Sequence, residues 1–201
     1  MGITPKQFEQ LQSRRPGARR VAAPVFENLQ ASRAPASVIL GIDPSLRGTG
    51  YGVLRPGRQG SRAEAFGVIA CPPAWERSRC LARIVETLRQ VIRQHHPAVC
   101  VVEGLFYAQN LQTALIMGEA RGAALVAAAE AGLEIYEIAP RKVKQAIVGH
   151  GAAQKLAVAK MVQRMLGLPE PPGPDAADAL ALALAYAQEQ GRYNLAAPRR
   201  I

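Results

Sequence analysis

The sequence predicts an α/β fold, a mixed sheet of five strands covered by helices. Three observations carry this. Short apolar runs bounded by glycine and proline crowd residues 37–70. Longer stretches with apolar residues at helical spacing follow. The order is three strands, helix, strand, helix, strand, then helices, which suits a mixed sheet rather than a bundle or a sandwich.

Residues 37–43, 49–55 and 63–70 read as three strands, and their short links favour antiparallel neighbours. Residues 74–94 carry Leu81, Ile84, Val85, Leu88, Val91 and Ile92 at helical spacing, an amphipathic helix. Pro97 opens a buried strand, AVCVVEG. Residues 111–131 form a helix whose small residues, Gly118, Ala120, Gly122, Ala123 and Ala124, allow close packing against the sheet. A short strand covers 134–139, and helices cover about 141–148 and 153–166. The loop PEPPGP leads into a last helix from 175 to about 189. Three domains of the chain are expected: a basic, poorly ordered extension over 1–37, a folded domain over 38–190, and a C-terminal tail over 191–201.

Composition narrows the function. The chain has 201 residues, with 25 Lys+Arg against 15 Asp+Glu, a net charge of +10. That excess favours a polyanionic partner, nucleic acid before an anionic membrane. Cys71, Cys80 and Cys100 have no C-x-x-C spacing and read as reduced, buried thiols of a cytoplasmic protein. His95, His96 and His150 lack zinc-ligand spacing, and His95-His96 before Pro97 reads as a helix end. No apolar stretch reaches transmembrane length, so no membrane partner is expected.

The stretch ILGIDPSLRGTGYGVL delivers one carboxylate, Asp43, at a strand end, followed by Pro44 and three glycines, Gly48, Gly50 and Gly52. The glycines are expected to let the hairpin return without crowding a substrate. Glu103 closes another apolar strand, and charges rarely end buried strands unless paired or bound to metal. Asp175 and Asp178 lie three apart on a helix that is otherwise almost wholly apolar. Each has an ordinary alternative: Asp43 as a turn opener, Glu103 paired with an arginine, Asp175 as an N-cap, Asp178 as a partner of the helix dipole. Together they would form a cluster that repels itself when empty and that hard divalent cations relieve. Two such ions, about 3.5–4 Å apart, clamp the attacking and leaving oxygens of a phosphodiester.

From Ile138 through Pro169 there is no acid, while Arg141, Lys142, Lys144, Lys155, Lys160 and Arg164 fall in the same span. This is a phosphate-tracking surface or a solvated helix face. Gly149 and Gly151 flank His150 and leave room for backbone N–H groups to meet a phosphate. Phe106 and Tyr107 follow Glu103, placed to stack on an unpaired base or to fill the core.

The segments LGIDPSLRGTGYGV, VVEGLFYAQN, ALIMGEARGAALVAAA, PRKVKQAIVGHGAAQK and DAADALALALA, in this order, resemble the RuvC family of bacterial Holliday junction resolvases. The resemblance runs from Val38 to Gln188. It implies a ribonuclease H-like fold with helices on both faces of the sheet. It also implies an Mg2+-dependent endonuclease that resolves four-way DNA junctions by symmetric paired nicks, with two ions per site and Mn2+ as a substitute. Asp43, Glu103, Asp175 and Asp178 match the four metal-binding catalytic acids. Lys144 and Lys155 match residues that contact DNA near the scissile phosphate, and Phe106 matches an aromatic that engages bases at the junction centre; Arg141, Lys142 and Tyr107 are expected beside them. A homodimer is implied, acting with a branch-migration motor and a junction-binding protein. The chain departs from the family where Ser45 stands in place of a usual glycine, and some relatives have histidine at the Asp175 position. Two other readings compete: a phosphate-cradling ATPase like actin, for which the chain is short, and a non-catalytic module binding branched DNA or RNA, which leaves the acids unexplained.

Overall fold

The computed structural model describes residues 37–104, 111–190 and 198–201. Phe106, Tyr107 and nearly all of the expected 1–37 extension lie outside the described residues. Three strands open the fold: β1 (Ile39–Asp43), β2 (Gly48–Arg55) and β3 (Arg62–Ala70). Helix α1 (Arg77–His95), strand β4 (Val99–Glu103), helix α2 (Leu111–Glu130) and strand β5 (Glu134–Ile138) follow. Three helices come next, α3 (Pro140–Val148), α4 (Lys155–Leu166) and α5 (Pro174–Glu189), then a two-residue strand β6 (Arg199–Arg200).

The sheet order is β3-β2-β1-β4-β5-β6. β1–β2 and β2–β3 are antiparallel, as their short links require, and β1–β4 and β4–β5 are parallel, each joined through a helix. The sheet has one strand more than expected. Residues 199–200, read from sequence as tail, pair antiparallel with β5, and Arg200 adds an ion pair to Glu134 at 3.2 Å. A two-residue strand carries no periodicity to read, and its partner's edge defines it.

The central strands are buried on both faces, so their side chains divide between two cores. Leu40, Ile42, Cys100 and Val102 face a layer made by α1 and α2, including Ile84, Leu88 and Ala124. Ile39, Leu54, Val99 and Val101 face the layer of α3, α4 and α5, including Val143, Val158 and Leu180. Proline at the first turn of α3 and of α5 sets φ and wastes no N–H. α1 ends with His96 in the left-handed region, φ 48°, as expected of the His95-His96 pair. All three cysteines are free and buried, and burial pushes the Cys100 thiol up to about 12, which makes it an inert core group.

The turn after β1 is closed by Thr49. Its hydroxyl donates to the Ser45 carbonyl at 2.5 Å, and the Ser45 N–H donates back to Thr49 Oγ1 at 3.2 Å. Arg47 anchors the same turn from outside by donating to the carbonyls of Pro72 (2.7 Å) and Trp75 (3.0 Å).

Candidate active site

Parallel pairing brings the ends of β1 and β4 together. The register sets Ile42 beside Val102, so the next residue on each strand is an acid, Asp43 and Glu103. Side chains alternate across a strand, and Ile39, Val99 and Val101 face the α5 layer. Asp43 and Glu103, an even number of residues further on, face it too. Both are half-buried.

Glycine brings α5 to them. Gly41, Gly50 and Gly52 lie on the α5 side of β1 and β2, and a Cβ at Gly41 or Gly50 would overlap the carbonyl oxygens of Ala179 or Asp175. A Cβ at Gly52 would stand 2.8 Å from the Leu180 side chain, and one at Gly48 3.1 Å from Asp175 Oδ2. The glycine run therefore serves helix packing, not clearance for a substrate as the sequence led one to expect. Gly50 is the register partner of Asp43, so the Asp175 backbone rests directly over the neighbour of Asp43. The N-cap of α5 is Gly173, and Asp175 lies inside the first turn. The N-cap reading of Asp175 is thereby removed.

The electrostatics record the convergence. Burial first, then the charges of Glu103 and Asp178, push the Asp43 carboxyl from 3.8 up to about 7. Burial and the Asp178 charge also raise Glu103, while a hydrogen bond with Asp43 and the charges of Lys155 and Lys144 oppose that rise. Lys155, the first residue of α4, lies 3.1 Å from Asp178 Oδ2, and this contact raises its own pKa. Among the described residues no three carboxylates are grouped closely enough to cage an ion as they stand. Protonation of Asp43 relieves its repulsion with Glu103, and the Lys155 ammonium neutralises Asp178. An all-oxygen donor set under mutual repulsion fits a hard divalent cation, which would replace both of these substitutes.

The basic residues part company. Lys155 pairs with Asp178, and the charges of Lys155 and Lys144 both hold the Glu103 carboxyl down. Arg141 lays its stem across Gly151, where a Cβ would overlap it, so the room expected there for a phosphate is filled by a side chain. Gly149 has φ 91° and caps α3, which gives that glycine a backbone reason. Lys142 lines a cavity with Glu137, Ile138, Glu189, Pro198 and Arg199.

Arg121 was not visible as a functional residue. It is buried, on the inner side of α2, and donates from Nη1 to the Glu103 carbonyl at 2.5 Å and from Nη2 to Glu137. An arginine inside an alanine-rich helix was the available signal. The arginine expected as a partner for Glu103 thus exists, but it binds the backbone and not the carboxylate.

The family model of the crossover junction endodeoxyribonuclease RuvC matches residues 39–186. The crossover junction endodeoxyribonuclease RuvC of Akkermansia muciniphila is 45% identical over 148 residues, covering 74% of this chain and 89% of that protein. The protein of the same description from Citrifermentans bemidjiense is 44% identical over 156 residues, covering 77% and 94%. Among solved structures, T. thermophilus RuvC in complex with Holliday junction substrate superposes with a TM-score of 0.73 at 36% identity, covering 82% of this chain and 99% of that one.

Proposed function

The chain belongs to the RuvC family of crossover junction endodeoxyribonucleases, and from that premise we propose that it resolves four-way DNA junctions by metal-assisted phosphodiester hydrolysis, with symmetric paired nicks. The observation that carries the site assignment is the meeting of Asp43 and Glu103 on parallel strand ends beneath the first turn of α5.

Asp43, Glu103, Asp175 and Asp178 would hold two Mg2+ ions, with Mn2+ as a substitute. Bound there, the ions supply Lewis-acid stabilisation of the attacking and leaving oxygens. The residues do the rest. Below about pH 7 burial and the neighbouring Glu103 and Asp178 charges keep Asp43 protonated; above it the proton leaves to solvent and the carboxylate would be free to hold a cation. Lys155, exposed and loosely paired, swings from Asp178 to a DNA phosphate. Lys144, half-buried beside Glu103, approaches the same strand from α3. Arg141 and Lys142 take part in DNA binding further out, and Phe106 and Tyr107 are assigned to bases at the junction centre.

A homodimer is part of the proposal, since two like-polarity strands are cut together. Support comes from α2, whose outer side carries Leu111, Leu115, Gly118, Gly122 and Val126 at three- and four-residue spacing. The three apolar side chains are exposed, and nothing stands within 4 Å of a Cβ at either glycine. The small residues of this helix thus divide, alanines inward and glycines outward, where all were expected against the sheet. Work in the cytoplasm beside a branch-migration motor and a junction-binding protein completes the proposal. Among the described residues no helix is long and apolar enough to cross a membrane.

The test is incubation with an end-labelled four-way junction and a linear duplex, with and without Mg2+. Paired nicks in the junction alone, requiring the metal, are expected. Binding without nicks in Mg2+ and in Mn2+ would favour the binding-module reading.

A further inference from the structure

The carbonyl of Glu103 poses an accounting problem. At the two ends of β4 the ladder to β5 runs through even residues: the Gly104 N–H donates to the Ile138 carbonyl at 2.9 Å, and Ala98 O accepts from the Glu134 N–H at 3.1 Å, while the Ala98 N–H, at the strand's entrance, turns to the Val38 carbonyl. Odd residues therefore address β1. Continuing the register of Ile42 with Val102 by one step, the donor to the Glu103 carbonyl would be the N–H of residue 44. Residue 44 is proline and has none. A half-buried carbonyl at the end of a central strand needs a replacement donor.

Arg121 supplies it, reaching from α2 on the opposite side of the sheet from the acids. The guanidinium is itself held by Glu137 on β5, the register partner of Val102. Gly104 lets this pair sit close, since a Cβ there would stand 3.2 Å from Glu137 Cγ.

We propose that Arg121, braced by Glu137, is a positioning residue for Glu103: it replaces the ladder donor that Pro44 lacks and fixes the end of β4 so that the Glu103 carboxylate meets Asp43. The inference rests on the metal-site reading above and deepens it. Asp43 needs a strand that stops, so proline follows it. The adjoining strand then loses a donor at the residue that carries the next acid. Arg121 restores the hydrogen bond without placing a cation among the metal-binding oxygens.

The test compares wild type with Arg121→Met, Glu137→Gln, Pro44→Ala and the double variant Arg121→Met/Pro44→Ala. Three quantities are measured: junction affinity in Ca2+, cleavage rate against Mg2+ concentration, and the rise of thermal midpoint with Mg2+ without DNA. Arg121→Met is expected to lower the rate roughly 10–100-fold and to raise the half-saturating Mg2+, as loss of an outer-sphere support does. Junction affinity in Ca2+ should hold to about twofold, because Arg121 touches no DNA-facing group. In the Pro44→Ala background, where residue 44 regains its N–H, the same substitution should cost several-fold less. Glu137→Gln keeps the arginine and should shift the Mg2+ requirement in the same direction by less. It also answers the question if Arg121→Met fails to fold. An unchanged Mg2+ half-saturation in both variants, or an equal cost of Arg121→Met in both backgrounds, overturns the proposal. Absence of junction cleavage by the wild type would count against the proposed function instead, and the Mg2+-dependent midpoint, read without DNA, would still decide the role of Arg121.

Discussion

Replacing Asp43 with asparagine should stabilise the metal-free protein above neutral pH. The Asp43 carboxyl stands at about 7 in the fold against 3.8 for the free group, raised by burial and by the charges of Glu103 and Asp178. The native state therefore holds a proton that the unfolded chain gives up between about pH 4 and pH 7, and stability falls as pH rises through that window. Three units at about 1.4 kcal/mol each set a ceiling of about 4 kcal/mol. The site is partly open to water, so about 2 kcal/mol is the working figure. A neutral asparagine side chain carries no such penalty. In urea unfolding with a chelator, the variant should be about 2 kcal/mol more stable than wild type at pH 8, and the two should converge near pH 4. Saturating Mg2+ should reverse the order at pH 8, since only the wild type retains the full donor set. A difference that does not change with pH, or a wild type more stable than the variant in chelator at pH 8, would refute the repulsion argument.

Three further outcomes are expected. Gly50→Val should push α5 off the sheet, lower stability by at least about 1–3 kcal/mol in thermal unfolding, and abolish cleavage, because the Asp175 backbone occupies the space the side chain needs. Lys155→Ala should change stability by less than about 1 kcal/mol, its ion pair being exposed. It should nevertheless move the acid limb of the pH–rate profile to higher pH, since the Lys155 charge holds Asp43 and Glu103 down. Leu115→Glu, on the outer stripe of α2, should convert a dimer to a monomer in sedimentation while leaving the fold intact by circular dichroism.

Much of this architecture was legible in the residues. The apolar runs ending in Asp43 and Glu103 marked both the strands and the acids, because a charge rarely closes a buried strand without a partner or a metal. The 175–189 helix announced itself by its apolar content, and Lys144 and Lys155 by an acid-free span. What stayed hidden depends on contacts between distant segments. The glycines of β2 read as clearance for a substrate, because the helix that packs on them, α5, is more than a hundred residues further along. Gly151 looked like open space until Arg141 was found lying over it. Lys142 belongs to the same basic run as Lys144, yet two residues along a helix turn it to another side. Arg121 was silent because the carbonyl that needs it is orphaned by a proline on a different strand.

The central claim is that the clustered carboxylates perform metal-assisted cleavage of a four-way junction. Its most direct test is single-turnover cleavage by wild type and Asp43→Asn at junction-saturating protein, with affinity matched beforehand in Ca2+. The account predicts equal binding and a rate loss of about a thousandfold, the several kcal/mol of transition-state stabilisation a misplaced ion forfeits at about 1.4 kcal/mol per decade. Equal binding with an unchanged cleavage rate would contradict it.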